Sequence, residues 1–252
     1  GLMRGVWSMD TIGPISRTVE DAAITLGAIA GYDPKDPTTW DTPVPDYRRV
    51  LNGDIKGMKV GLVKELLHSE QVEPDVANAV TVAAELLAKL GAAVEEVSIP
   101  LTTHANPISS VLLATEPASN LGEWVRQRLQ DFGHDNRIGL LVGSLIPAQV
   151  YYKAQKLRTM LMQQVHEALE TYDVLLAPTS GKVAPKLQDD PEVTSKEGVS
   201  RLPFMRTNTF NLSSAPAISV PCGFGGQGLP IGLQIGGSPG GEATLLKVAD
   251  AY

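Results

Sequence analysis

Between Met58 and Ile99 the chain carries a strand pattern, a helix pattern and a second strand pattern, and no other stretch restricts the fold so tightly. Met58 to Val63 is a short, mostly apolar run of strand length. Pro74 marks a helix start, after which Val76, Val80, Ala83, Leu86, Leu87 and Leu90 recur at helical spacing until Gly91 stops the helix. Ala93 to Ile99 then reads as the next strand. Two strands joined through about five turns of helix cannot form a hairpin, so they pair in parallel through a right-handed crossover.

A second organising stretch runs from Asn208 to Gly237 and reads as a strand, a loop and a strand. Ala217 to Val220 and Ile231 to Ile235 are small or β-branched runs bounded by Pro216, Pro221, Pro230 and Gly236, the punctuation of strands buried in a sheet. Ser213, Ser214, Ala215 and the glycines allow close backbone approach. Gly223, Gly225 and Gly228 satisfy G-x-G-x-x-G, but Pro230 and another strand follow where a phosphate site needs a helix N-terminus. Gly236 to Gly241 imitates a nucleophile loop around Ser238, with no His, Lys or second Ser nearby in sequence to activate it. A strand-to-helix turn is the expected use of those residues.

Elsewhere the chain alternates. Thr18 caps a helix in which Val19, Ala22, Ala23, Leu26, Ile29 and Ala30 share a face, and Gly31 and Pro34 end it. Asp33 to Asp54 is a proline-rich connection, Ser109 to Asp131 and Pro147 to Tyr172 read as long helices, and Asp173 to Ala177 is a buried strand. Thr179 to Ser200 is expected to be a long polar loop. The pattern is α/β, with helices and strands alternating around one mixed sheet.

The 252 residues suffice for a large single domain, and 43% hydrophobic content supplies its core. A net charge of -7 without a Lys/Arg cluster opposes a nucleic-acid surface, so no direct nucleic-acid binding is expected. No apolar run reaches the roughly 18 residues of a membrane span, and the N-terminus lacks the apolar core of a signal peptide, so a cytoplasmic location is the default. The single cysteine, Cys222, reads as a packing residue, and the histidines at 68, 104, 134 and 166 lack metal-ligand spacing. No G-x-S-x-G elbow is present. Gly1 to Asp21 carries Trp7, Met9 and Ile12 straight into a helix, as the middle of a domain would.

Asp10 through Ala23 (D-T-I-G-P-I-S-R-T-V-E-D-A-A) and Ala30 through Asp36 (A-G-Y-D-P-K-D) resemble the segment that follows the nucleophile loop in the amidase signature family. Ala154 through Arg158 (A-Q-K-L-R), Tyr172 through Thr179 (Y-D-V-L-L-A-P-T), Pro216 through Pro221 and Gly228 through Gln234 continue that resemblance in order over essentially the whole chain. It implies a mixed β-sheet in a three-layer α/β/α sandwich with the N-terminal part of the domain missing, so that residues 1–252 form the C-terminal portion of a single amidase domain. It implies hydrolysis or transfer of amide groups with no metal and no organic cofactor. The family machinery is Ser-Ser-Lys, in which a neutral lysine acts through a bridging serine on the nucleophile and glycine-loop N–H groups hold the oxyanion. All three residues precede the position matching Gly1, so this chain is expected to carry no catalytic residue and to be inactive alone.

The resemblance carries over pocket residues. Arg158 matches the arginine that faces the substrate carboxylate in glutamine-using amidotransferase A subunits, although a helix arginine also pairs readily with an acid. Arg206 and Thr207 lie in the segment where those subunits place an acidic substrate contact, with Phe204 at the position of the acid. Asp10 is a further site-lining candidate, with a structural hydrogen-bonding role as its competing use. The leading expectation is a small-molecule amide hydrolase. The alternatives are the A subunit of an aspartyl/glutamyl-tRNA amidotransferase with its partner subunits, resembled by Glu116, Ser119, Asn120 and Leu121, and an inactive fragment or binding module. Uncovered edges lead to an expectation of self-association as a homo-oligomer.

Overall fold

The computed structural model describes residues 2–185 and 204–252. Strand β1 (Lys59–Val63) is followed by the one-turn helix α2 (Lys64–Leu67) and by α3 (Pro74–Lys89), which leads into β2 (Ala93–Val97). β1 and β2 pair in parallel, Lys59 opposite Ala93 through Val63 opposite Val97, so the crossover is present as the spacing requires. Gly91 makes the reversal possible: it lies at φ +104°, which a side chain would strain, and its carbonyl accepts from Gly57 N–H at 2.9 Å. The expected second strand ends two residues early, because Pro100 opens a 3₁₀ turn over Pro100–His104.

Helices α4 (Ala105–Asn120), α5 (Gly122–Arg128), α6 (His134–Leu145) and α7 (Ala148–Thr171) then return the chain to β3 (Val174–Pro178), buried at every position. Where one helix is expected over Ser109 to Asp131, the structure has two: Pro117 sits in the last turn of α4 and the chain breaks at Leu121. Helix α6 is absent from the sequence reading, since Gly139, Gly143 and several exposed apolar residues blur its periodicity. The first six residues of the Asn208 stretch, ahead of the expected strand at Ala217 to Val220, form a helix, α8 (Asn208–Ser213). Its end is set by Ser214, which is in the left-handed region at φ 56°. β4 (Ala217–Phe224), β5 (Pro230–Gly237) and α9 (Glu242–Ala251) complete the described elements.

The sheet order is β2-β1-β3-β5-β4, parallel on the β2-β1-β3 side and antiparallel across β3-β5-β4. Val60, Leu62, Leu176, Leu233 and Ile235 pack one face against Val80 and Leu87 of α3 and Leu245 and Val248 of α9. Val63, Leu175 and Ala177 pack the other against Val165 and Leu169 of α7 and Phe210 of α8. This is the three-layer α/β/α sandwich on a mixed sheet. α1 (Val19–Ile29) is capped by Thr18 as expected, its hydroxyl accepting from Asp21 N–H at 3.0 Å. It buries Ala22 and Ala23 while Ile29 is exposed, so its apolar face is narrower than the sequence suggests. The proline-rich connection holds one 3₁₀ turn, Tyr47–Val50, capped by Asp46.

β4 is an edge strand, with Phe224 73% exposed, and Trp7 near the N-terminus is 56% exposed. The polar loop expected over Thr179 to Ser200 lies mostly outside the described residues.

Candidate functional site

Tyr151, Gln155 and Arg158 leave α7 four and three residues apart and therefore share a face. Arg158 Nε donates to the Leu212 carbonyl at 2.9 Å, and its Nη2 donates to the Ser8 carbonyl at 2.9 Å. Ser8 is held again by Glu116 of α4, which is 8% exposed and accepts from Ser8 N–H at 2.9 Å and Ser8 Oγ–H at 2.7 Å. The Tyr151 hydroxyl donates to the same carboxylate at 3.1 Å and accepts from Gln155 Nε2 at 2.8 Å. With three donors on it Glu116 is a fixed acceptor, poorly suited to removing the Ser8 proton. Burial pushes the Arg158 pKa down from the ordinary guanidinium value, with Glu116 and Tyr151 acting the other way.

Asp10 closes the turn that carries Ser8. Its Oδ2 accepts from Gly5 N–H at 2.8 Å and Val6 N–H at 2.9 Å, while Asn120 Nδ2 donates to the Gly5 carbonyl at 3.0 Å. The N-terminal segment is thus tied to α4 and α7 by polar contacts more than a hundred residues apart in sequence, for which no local spacing gives a signal.

Phe204, Arg206 and Thr207 form a second group beyond β3. Gly181 N–H donates to the Phe204 carbonyl at 2.7 Å, and Arg206 N–H donates to the Thr179 carbonyl at 3.2 Å. Lys182 Nζ lies 4.1 Å from the centre of the Phe204 ring, an attraction between ammonium and ring face. Arg206 is buried, which pushes its pKa down, and Thr207 precedes α8 with no capping bond from its side chain. Helix α8, about 9 Å long, stands between the two groups. Its last carbonyls receive Arg158 at Leu212 and His166 Nε2 at Ser213, 3.0 Å away, which satisfies acceptors that a helix end leaves open. Phe210 seats it on β5 at Gly236, where a Cβ would overlap the ring. The structure therefore joins Arg158 to Asp10 through the Ser8 turn, and places Phe204, Arg206 and Thr207 at the other end of α8.

The glycine motif falls in the β4–β5 hairpin, with Gly225 N–H donating to the Leu229 carbonyl at 2.9 Å, so its N–H groups are not directed at a phosphate. Gly236 to Gly241 is the turn into α9. Burial raises the Cys222 thiol to about 11. Roughly one molecule in a thousand then carries the thiolate at pH 8, so iodoacetamide labelling of the native chain is expected to be far slower than after denaturation, followed by mass spectrometry. Among the described residues no group of three His, Cys, Asp or Glu is placed to hold a metal ion, and no helix is long and apolar enough to cross a membrane.

A mixed sheet covered by helices on both faces, with an arginine-centred polar cluster on one layer, places the chain in the class of α/β/α sandwiches. The Amidase family description matches residues 1–246, and the chain belongs to that family. It is 38% identical over 279 residues to the glutamyl-tRNA(Gln) amidotransferase A subunit of Brevibacillus brevis, a match covering 100% of this chain and 56% of that relative. The solved structure of the protein of the same name from Thermotoga maritima superposes with a TM-score of 0.76 at 32% identity, covering 97% of this chain and 52% of the other. A chain from a vestigial protein complex, described as revealing the evolutionary origins of an s-triazine catabolic enzyme, superposes with a TM-score of 0.86 at 26% identity, covering 100% of this chain and 55% of the other. The chain spans about half the length of the relatives it matches.

Proposed function

We propose that this chain is the C-terminal, pocket-forming portion of an enzyme that cleaves the C–N bond of a small carboxylic amide. The observation that carries the reading is the family match across residues 1–246. In this reading the Ser-Ser-Lys residues are supplied by sequence upstream of Gly1. Arg158 and Asp10 brace the segment that follows the nucleophile loop, and Phe204, Arg206 and Thr207 shape the far side of the pocket. Phe204 offers the substrate an apolar ring with Lys182 over its face where an acid would bind an ammonium group. A missing polar contact costs on the order of 1 to 3 kcal/mol, enough to reorder substrates in favour of neutral or aryl amides over glutamine.

The relatives named as A subunits of glutamyl-tRNA(Gln) amidotransferase favour a second reading, in which the enzyme releases ammonia from glutamine and works with partner subunits. Expressing the coding sequence in frame with what lies upstream of Gly1, and measuring ammonia release, separates the two. The expected result is a higher kcat/KM with benzamide than with glutamine. The reverse order would establish the second reading, and a complete enzyme that hydrolyses neither would remove the amidase reading. The 252-residue chain alone is expected to give no fluorophosphonate labelling at serine.

A further inference from the structure

The Arg158 cluster leaves unused the crevice beyond the carboxyl ends of the parallel strands. From β1 the chain winds to β2 on one side and then crosses to β3 on the other, so the winding reverses at β1 and β3. Connections that depart in opposite directions leave a gap at such a point, and ligands of open α/β sheets settle there. A cavity of about 450 Å³ occupies this place. The residues after β1 form one wall as far as Gln71, Thr102 and Asn106 after β2 form another, and Met205, Arg206 and Thr209 after β3 form the third.

Thr209 is 1% exposed, and its Oγ has no hydrogen-bond partner among the described residues. A buried hydroxyl without a partner costs stability, and native chains rarely keep one unless something else pairs it. Thr209 N–H donates to the Arg206 carbonyl at 3.4 Å, so the two residues share a single turn, and both line the cavity. Arg206 is 5% exposed and its guanidinium stays charged despite burial. Gly181 lets the wall close: a Cβ there would overlap the Gln71 carbonyl oxygen and lie 3.4 Å from Arg206 Nη2.

The remaining charges narrow the ligand. Glu65 already accepts from Ser98 Oγ–H at 2.5 Å and Ile99 N–H at 2.9 Å. Burial works against its charge, but these bonds prevail and hold its pKa below the ordinary value, so it is an anion. Glu70 adds a second carboxylate at the exposed rim. Two negative groups beside the opening repel phosphate or a dicarboxylate, while Leu66, Ala105 and Met205 offer apolar surface to a hydrocarbon body.

We propose that this crevice is a ligand site for a small monocarboxylic acid, whose carboxylate accepts from the Thr209 hydroxyl and the Arg206 guanidinium. A planar carboxylate matches the guanidinium fork, and the hydroxyl supplies a further donor. The site does not use Arg158 but shares Arg206 with the proposed amide pocket, so it is tested by binding to the 252-residue chain, which needs no amide turnover and can fail while the amidase reading holds.

Benzoate is the probe, titrated into the 252-residue chain by calorimetry, with benzamide, phthalate and inorganic phosphate as comparisons. Saturable one-to-one binding of benzoate is expected, with weaker binding of the other three. Thr209→Val removes an unpartnered hydroxyl at constant shape, so the unliganded melting temperature is expected to hold or rise while benzoate affinity falls about tenfold. Thr209→Ser is expected to keep most of the affinity, and Arg206→Lys to lose it with the fork. Absence of saturable benzoate binding, equal affinity in Thr209→Val, or equal affinity for phosphate would overturn the proposal. Affinity lost in Arg158→Lys and kept in Thr209→Val would move the carboxylate site to Arg158 and overturn it equally.

Discussion

Replacing Arg158 by methionine is expected to lower the stability of the chain by about 3 kcal/mol, because two backbone carbonyls lose a charged donor together. The Leu212 and Ser8 carbonyls each accept from one nitrogen of its fork at 2.9 Å. Leu212 lies in the last turn of α8 and Ser8 in the N-terminal turn, so the side chain is a strap between three segments remote in sequence. The loss should appear as a fall in melting temperature of roughly 6 to 12 °C and a lower urea midpoint. Arg158→Lys is expected to fall between, since one ammonium cannot reproduce a rigid two-armed donor. An arginine serving only a substrate carboxylate would leave both measurements unchanged, so this experiment decides between the substrate-facing role and the structural one.

Gly143→Ala is expected to cost about 3 kcal/mol or more, measured by urea unfolding. Gly143 lies where α6 crosses α4, and a Cβ there would overlap the Ala114 carbonyl oxygen and sit 3.0 Å from the Ala118 Cβ. A backbone oxygen inside a helix cannot turn aside, so the helices must separate and surrender packing between buried neighbours. Gly139→Ala on the same helix meets nothing within 4 Å. That change is expected to stabilise by about 0.5 to 1 kcal/mol through helix propensity alone. The opposite signs separate a contact effect from a propensity effect within one helix.

The sequence by itself determined the elements whose signals are local and periodic. The β1-α3-β2 crossover was legible because Pro74, the apolar row from Val76 to Leu87 and Gly91 each act within a few residues. β3 and the β4–β5 hairpin were legible as apolar runs between prolines and glycines, and the order of short motifs identified the family. The extent of β4 was underestimated: pairing continues past Pro221 to Phe224 through an irregularity that an edge strand tolerates. Helix α6 was illegible because its two glycines are poor helix formers, and one is required by a neighbour 29 residues away in the chain.

Tertiary structure alone decided the site. Ser8, Glu116, Tyr151 and Arg158 meet through bonds spanning 35 to 150 residues, and no residue near Ser8 announces the acid or the arginine that holds it. Arg158 was legible as a residue of interest, yet its partners are two main-chain carbonyls, which carry no sequence identity. Thr209 and Arg206 likewise become cavity-lining groups because the sheet reverses its winding beside them. Periodicity reports which face of an element is buried. It does not report which polar groups the fold carries into contact there, because that depends on how separate elements are docked.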